Sequence, residues 1–510
     1  MADLKQLLNK LSQLKILLAS DVTQQMLDNI DENSLLQKII EMRSRATSES
    51  SEGEGAEPKN ELEFIGSADI LKIAQEIATE KVPVPVEVSH SPGFRPEAAE
   101  IEERFKVFEK EINAVASIDD FTKHFNNRLA RIKKILDRRQ GIKFLNALEE
   151  IDKNRYLSGR EIAVVGIVSK RIVTKNGNIM VELEDSTGTV KVIFMNKQVH
   201  SHKNNIFDDA ARIVNDEVIG IKGKLSHPFI IANEIIWPEP VIKTDKKFEE
   251  DFSVAFLSDI HTGSKLFMEK NFLHMLKWMQ GKVGENNNIA GKIKYIVIAG
   301  DVADGIGIYP NQDKDLQVLD IYQQYSMLFN MLDAVPDYIH VFVMPGNHDA
   351  TQRAEPQPPF DASIIKDFKK SNIHIVQNPS FISLNGLDVL AYHGTSLDSV
   401  IASIPGLAYS QPETAMIELL KRMHLSPIYG GNIILPSPKD NLVIDKTPDI
   451  LHMGHIHTNG LANYKGVWIV NSGTWQSKTE FQTKQGHMPT PCKMPVFNTK
   501  SNKFSIVNFS

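Results

Sequence analysis

A single cysteine, Cys492, stands in a chain of 510 residues. One thiol excludes an intrachain disulfide and any thiolate metal cluster, and it fits a reducing compartment. Any metal site therefore has to be built from His and carboxylate. Long apolar runs are also missing: nothing approaches the roughly 18 uninterrupted apolar residues of a membrane span. The amino terminus has no basic segment leading into an apolar core and a small-residue cleavage site, so a cytoplasmic location is expected. A basic excess is lacking too, since 57 Lys and Arg face 64 Asp and Glu for a net charge of -7. Contact with a polyanion would have to come from a local patch, from bound cations or from another subunit.

The length calls for several domains. In residues 1–45, Leu4, Leu7, Leu8, Leu11, Leu14, Leu17 and Leu18 recur at helical spacing, followed by Leu35, Leu36, Ile39 and Ile40. This predicts a small helical module that either packs on itself or docks a partner. Residues 46–62, rich in Ser, Glu and Gly, read as a flexible linker. Residues 63–150 read as a helical connecting region, apart from an extended VPVPVEV run at 82–88. Within it Phe121, Phe125, Leu129, Ile132 and Leu136 form an apolar stripe, leaving Arg128, Arg131, Lys133, Lys134, Arg138 and Arg139 for a solvated surface or one that meets DNA or an acidic partner.

From residue 151 to 245 the period changes to two and β-branched residues accumulate. Asn176-Gly177 and Asp185-Ser186-Thr187-Gly188 mark tight turns between three antiparallel strands, and two more strands follow near 217–223 and 229–236. Five strands in this order suit an OB barrel, a fold whose second and third strands often receive single-stranded nucleic acid. Lys170, Arg171, Lys175, Lys191 and Lys197 are the candidate backbone contacts, and Phe194 is the one aromatic expected on that surface. A structural or subunit-docking role for the barrel is equally open.

Over residues 250–510, short apolar runs end abruptly in polar residues, and helical segments separate them. Five such ends can be read: SVAFLSDIHTGS with Asp259 and His261, YIVIAGDVADG with Asp301, HVFVMPGNHD with Asn347 and His348, VLAYHGTS with His393, and DILHMGHIHTNG with His455 and His457. In open α/β sheets, ligands gather at the carboxyl ends of strands. Alternation along a strand places Asp259 with His261, and His455 with His457, on one face. Four histidines, two aspartates and one asparagine suffice for two divalent ions sharing one carboxylate, with manganese, iron or zinc as candidates. Asp304 and Asp349 read as residues that brace loops or orient histidines, and His452 as structural. Asp313, Asp315, Lys439 and Asp440 fall in loops without a role. Tyr309, Trp475 and Phe481 either stack on a base or pack.

The pattern Asp-x-His, Gly-Asp, Gly-Asn-His-Asp, lone His and Gly-His-x-His resembles the calcineurin-like metallophosphoesterases. That resemblance implies an α/β sandwich in which Asp259, His261, Asp301 and His457 hold one metal and Asp301, Asn347, His393 and His455 the other. It leaves His348 as general acid or transition-state stabiliser. The whole layout, a multidomain α+β chain with a helical module, an OB barrel and a phosphoesterase domain, is similar to the small subunits of archaeal family-D DNA polymerases. LSDIHTGS and RIVTKNGN…LEDSTGTVKV carry that likeness. It implies a 3′ to 5′ proofreading exonuclease at the nucleoid, bound to a large catalytic subunit and acting on a single-stranded or frayed primer end. The alternatives are a non-catalytic scaffold and a general metallophosphodiesterase.

Overall fold

The computed structural model describes residues 16–18, 63–65 and 94–510, apart from 113–116, 139–140, 197–205, 245, 285–286, 367, 369 and 485. The chain divides into two units, residues 1–89 and 90–510. In the first, β1 (Ile16–Leu18) and β2 (Glu63–Ile65) pair in parallel. The helical expectation therefore fails at Ile16–Leu18, where three apolar residues, two of them leucines of the stripe, hydrogen-bond as an extended pair. The rest of the helical module, the linker and the VPVPVEV run lie outside the described residues. Among the described residues no helix is long and apolar enough to cross a membrane.

In the second unit, β4 (Glu161–Val173), β5 (Ile179–Glu184), β6 (Thr189–Phe194), β7 (Val218–Ser226) and β8 (Phe229–Ile236) close into a five-stranded barrel, in the order β4-β5-β6-β8-β7. Both predicted turns form: Gly177 takes a positive φ of 75°, and Asp185 accepts hydrogen bonds from the backbone N–H of Thr187 and Gly188. Phe194 is fully buried in the barrel core, so its expected surface position is wrong. Its residue parity in β6 matches the inward-facing Val190 and Val192.

After the barrel come two six-stranded sheets. One runs β12-β11-β10-β9-β18-β19, with β9 (Ser253–Leu257), β10 (Ile293–Ala299), β11 (His340–Met344) and β12 (Ile373–Ile375) parallel. Its antiparallel margin is β18 (Lys493–Asn498) and β19 (Lys503–Asn508). The other runs β16-β17-β15-β14-β13-β3, from β3 (Phe105–Phe108), β13 (Ser380–Leu384), β14 (Leu387–Ala391), β15 (Ile450–Met453), β16 (Asn459–Tyr464) and β17 (Val467–Ser472). β3 sits inside the stretch expected to be helical. Its FKVF sequence alternates half-buried and exposed positions, the period of a strand at a sheet edge.

Alternate residues divide between two cores. Val254, Phe256, Val297 and Phe342 from the first sheet meet Ile382, Val389, Ile450 and Val470 from the second. Their neighbours Ala255, Leu257, Ile296 and Val343 pack outward against the helices Glu269–Met279 and Ile321–Leu332. On the far side Leu390, Leu451 and Ile469 pack on Leu397–Ser403 and Pro412–Arg422. Four layers result, and strands covered on both faces explain the near-continuous apolar runs.

The helix Ile118–Leu136 forms as predicted, capped by Ser117 and Asp120. Of its predicted stripe, Ile132 and Leu136 are buried with Phe125 and Leu129 packed against the same cluster, and His124 and Arg128 join the buried face. Arg128 is not surface: its Nε donates to Asp440 at 2.7 Å, and Nη1 donates to the Asp216 and Pro427 carbonyls. His424 Nε2 meets the same Asp440 oxygen at 2.8 Å, so Asp440 gains a structural role. Arg131 is engaged by Asp445, and Lys133 donates to the Asn146 carbonyl. Arg139 lies outside the described residues.

Candidate metal centre

All seven predicted donors meet at one end of the two sheets. Asp259 and His261 follow β9, Asp301 follows β10, Asn347 follows β11, His393 follows β14, and His455 and His457 follow β15. None lies on its strand. Asp259, His261, Asp301, His455 and His457 adopt left-handed φ values of 50° to 69°. Non-glycine residues in this region are uncommon and cluster at functional sites, where the surrounding structure holds the strain. Sharp turns, rather than strand alternation, aim these pairs together. Tight packing leaves room only for glycine beneath them: a Cβ on Gly300 would lie 2.6 Å from Nδ1 of His393.

Three groups of donor atoms form: Asp259 with His261 and His457, Asp301 with His393 and His455, and, sharing His261, a third with Asp304 and His348; the first two hold the predicted ligands. In the first, Nε2 of His457 lies 3.3 Å from Oδ1 of Asp259 and 3.1 Å from Nε2 of His261. In the second, Nε2 of His393 lies 3.3 Å from Oδ2 of Asp301 and 2.8 Å from Oδ1 of Asn347, which is 3.1 Å from Nδ1 of His455. Oδ2 of Asp301 is also 3.9 Å from Nε2 of His261, so this carboxylate stands between the groups.

The outward nitrogens are pinned. Nδ1 of His261 donates to Asp304 at 3.0 Å, Nδ1 of His393 to the Ala299 carbonyl at 2.8 Å, and Nε2 of His455 to Asp398 at 2.8 Å. Each leaves its other nitrogen facing inward, the arrangement by which partners fix a ligand's tautomer. His348 follows the same rule, with Nδ1 donating to the Asp304 carbonyl at 2.8 Å and Nε2 turned toward Asp301 at 4.0 Å. Its backbone N–H donates to Asp301 at 2.8 Å.

Burial alone would lift the Asp301 carboxyl, but the imidazoles of His393, His348 and His261 outweigh it and hold it far below the usual carboxylate range. Burial opposes charge on His261 and His393 as well. Asp304, Asp301 and Asp259 push His261 up to about 9, and Asp301 and Asp259 push His393 up to about 10. Burial lowers His348, against the pull of Asp301. The site thus sets buried carboxylates among imidazoles, groups that give up protons when they bind a cation. Oδ1 of Asp259 is buried with only a long 3.3 Å approach from Nε2 of His457 and no well-formed hydrogen bond, which in a native core suits an ion or water. The donor set, imidazole, carboxylate and one amide oxygen, fits manganese, iron or zinc.

Around this floor opens a cleft of about 520 Å³, bordered by Tyr309, Lys265, Tyr409, Lys478 and His487. Asp349 accepts from the backbone N–H of Val302, Ala303 and Gly346 and from Tyr325, bracing the loops as predicted. His452 is a buried strand residue bonded to Ser472, and burial lowers it to about 3. Trp475 is buried in the core and cannot stack on a base, while Asp315 accepts from the Tyr309 hydroxyl. Asp313 and Lys439 are exposed. The Phe481 side chain lies outside the described residues.

On the barrel, Lys170, Lys175 and Lys191 are exposed, whereas Arg171 donates to the Ala211 carbonyl. Glu182 pairs across the ladder with both Lys170 and Lys191, which dilutes the basic patch. Lys197 lies outside the described residues. Asp398, Gln476, which donates to Asp304, and Gln482, which faces Nδ1 of His457, escaped the sequence reading. They follow no apolar run, and only their spatial pairing with the histidines marks them.

Residues 254–459, which contain every one of these donors, match the DNA polymerase alpha/epsilon B-subunit family. The DNA polymerase II small subunit of Archaeoglobus fulgidus is 41% identical over 416 residues, 79% of this chain and 82% of that protein. Its counterpart in Methanocaldococcus jannaschii is 42% identical over 387 residues, 75% of this chain and 64% of that protein. At this identity, over 82% of the Archaeoglobus fulgidus protein, the chain belongs to the family of archaeal DNA polymerase II small subunits.

Proposed function

We propose that this chain is the 3′ to 5′ proofreading exonuclease of a replicative polymerase, hydrolysing DNA phosphodiester bonds with two divalent cations. In this reading the barrel is an OB-fold and the four-layer unit a calcineurin-like phosphoesterase. The relatives are named small subunits, so DNA synthesis is assigned to a larger partner chain and to the complex it forms with this one, at the nucleoid. The observation that carries the reading is the convergence of seven donors from five strand ends into two adjoining clusters, with the Asp301 carboxylate between them.

Asp259, His261, Asp301 and His457 would hold one cation, and Asp301, Asn347, His393 and His455 the other. Cations held there supply Lewis-acid activation of water and neutralise phosphate charge. The chain's own residues do the rest. Water adds to phosphorus, the bond from phosphorus to the 3′ oxygen breaks with its electron pair on oxygen, and a 5′-mononucleotide leaves. Nδ1 of His348 is committed to the Asp304 carbonyl, so Nε2 is the nitrogen that can deliver a proton to the 3′ oxygen. An arriving phosphodiester adds negative charge beside His348 and favours its protonated form.

The test is the purified full chain with manganese on a 3′-labelled single strand and on bis(p-nitrophenyl) phosphate. Release of labelled mononucleotide, abolished by a chelator, is the expected result. Hydrolysis of the small ester alone would favour a general phosphodiesterase, and hydrolysis of neither would leave a scaffold.

A further inference from the structure

The cleft carries aromatic rings at both ends of its row of donors. At one end Tyr309 lies 6.5 Å from the ring of His348, which packs 4.8 Å from His261. At the other, His455 is bonded to Asp398, and Tyr409 lines the cleft beside that carboxylate. The ring of Tyr409 lies 4.3 Å from that of His487, with 30° between their planes. Both are half-buried and face the cleft.

We propose that Tyr409 and His487 form the platform on which the base of the departing 3′-terminal nucleotide stacks. The proposal rests on the hydrolytic reading above. There the leaving oxygen belongs to the penultimate nucleotide and lies at His348. The terminal nucleoside hangs from another ester oxygen and is directed away from His348, toward His455 and the ring pair behind it. A proofreading site has to accept all four bases, and stacking on an aromatic face does so because every base has a π-face. A ring backed by a second ring is pre-ordered for that contact. A base still paired in a duplex cannot lie on the platform, so the same contact selects frayed ends.

Binding of dAMP and of deoxyribose 5-phosphate to the full chain with manganese, measured by calorimetry, tests this. Stacking is expected to favour dAMP by roughly 5- to 150-fold. Tyr409→Ala and His487→Ala should bring that ratio close to one. Tyr409→Phe, which keeps the ring and loses the hydroxyl, should preserve it. A ratio that survives both alanine variants, or a wild-type chain that does not distinguish the ligands, overturns the platform while wild-type hydrolysis of DNA keeps the nuclease reading. A wild-type chain inert on DNA and on bis(p-nitrophenyl) phosphate overturns both.

Discussion

Nδ1 of His261 donates to the Asp304 carboxylate at 3.0 Å, and Gln476 donates to the same oxygen at 3.0 Å. Asp304 thus fixes both the tautomer and the tilt of a candidate ligand without facing the ion itself. Asp304→Asn should weaken manganese binding by about 10- to 100-fold, the usual cost of losing a partner to a ligating histidine. Competition with a chelator measures this, and an unchanged affinity would remove Asp304 from the site.

His348 packs against His261, with Nδ1 held by the Asp304 carbonyl and Nε2 4.0 Å from Asp301. His348→Ala should keep cation and DNA binding yet slow hydrolysis by about a hundred- to ten-thousand-fold. Single-turnover kinetics separate the two effects. A variant that hydrolyses at the wild-type rate rules out proton delivery by this imidazole.

Gly346 packs against the shared carboxylate. A Cβ there would come within 2.2 Å of Oδ1 of Asp301 and 2.5 Å of its backbone nitrogen. Gly346→Ala should push Asp301 out of place and lower cation affinity by at least about tenfold. Circular dichroism should still report the folded sandwich, because the clash is confined to the turn.

Between barrel and sandwich, Glu418 accepts from Arg212 at 2.7 Å and from Arg422 at 2.6 Å. Burial would raise its carboxyl, but Arg422, Lys421 and Arg212 outweigh it and lower it to about 2 from 4.5. A depressed carboxylate stabilises the fold above its unfolded value and loses that contribution as pH falls toward the folded one. Glu418→Gln should therefore cost about 3 kcal/mol near neutrality. The gap to wild type should close between about pH 4.5 and 2, as denaturant unfolding at stepped pH would show.

Much of the site is legible in the sequence because of where β9, β10 and β11 lie. Strands covered on both faces are mostly apolar, so Asp259, Asp301 and Asn347 stand out within three residues of their ends as ligand-type side chains. What local pattern cannot convey is the left-handed backbone at five of the donors, which depends on packing from both sheets. Arg128 misleads because its burial is set by Asp440, more than 300 residues away. Asp398 is invisible for the same kind of reason, its partner His455 being supplied by a different strand end. Phe194 shows the complementary error: its direction follows from β6 parity, and weighing it as an aromatic rather than as a strand residue places it outside.

The pairing of β3 with β13 bears on how the protein can be divided. Phe105–Phe108 precede the barrel in the chain but finish the sheet that follows it, so the barrel is an insertion within one folding unit rather than a separable head. A fragment beginning at residue 250 would bare the outer row of amides and carbonyls on β13, an invitation to strands from neighbouring molecules. Light scattering should find that fragment self-associated, and a version that regains residues 94–108 through a short tether should be monodisperse.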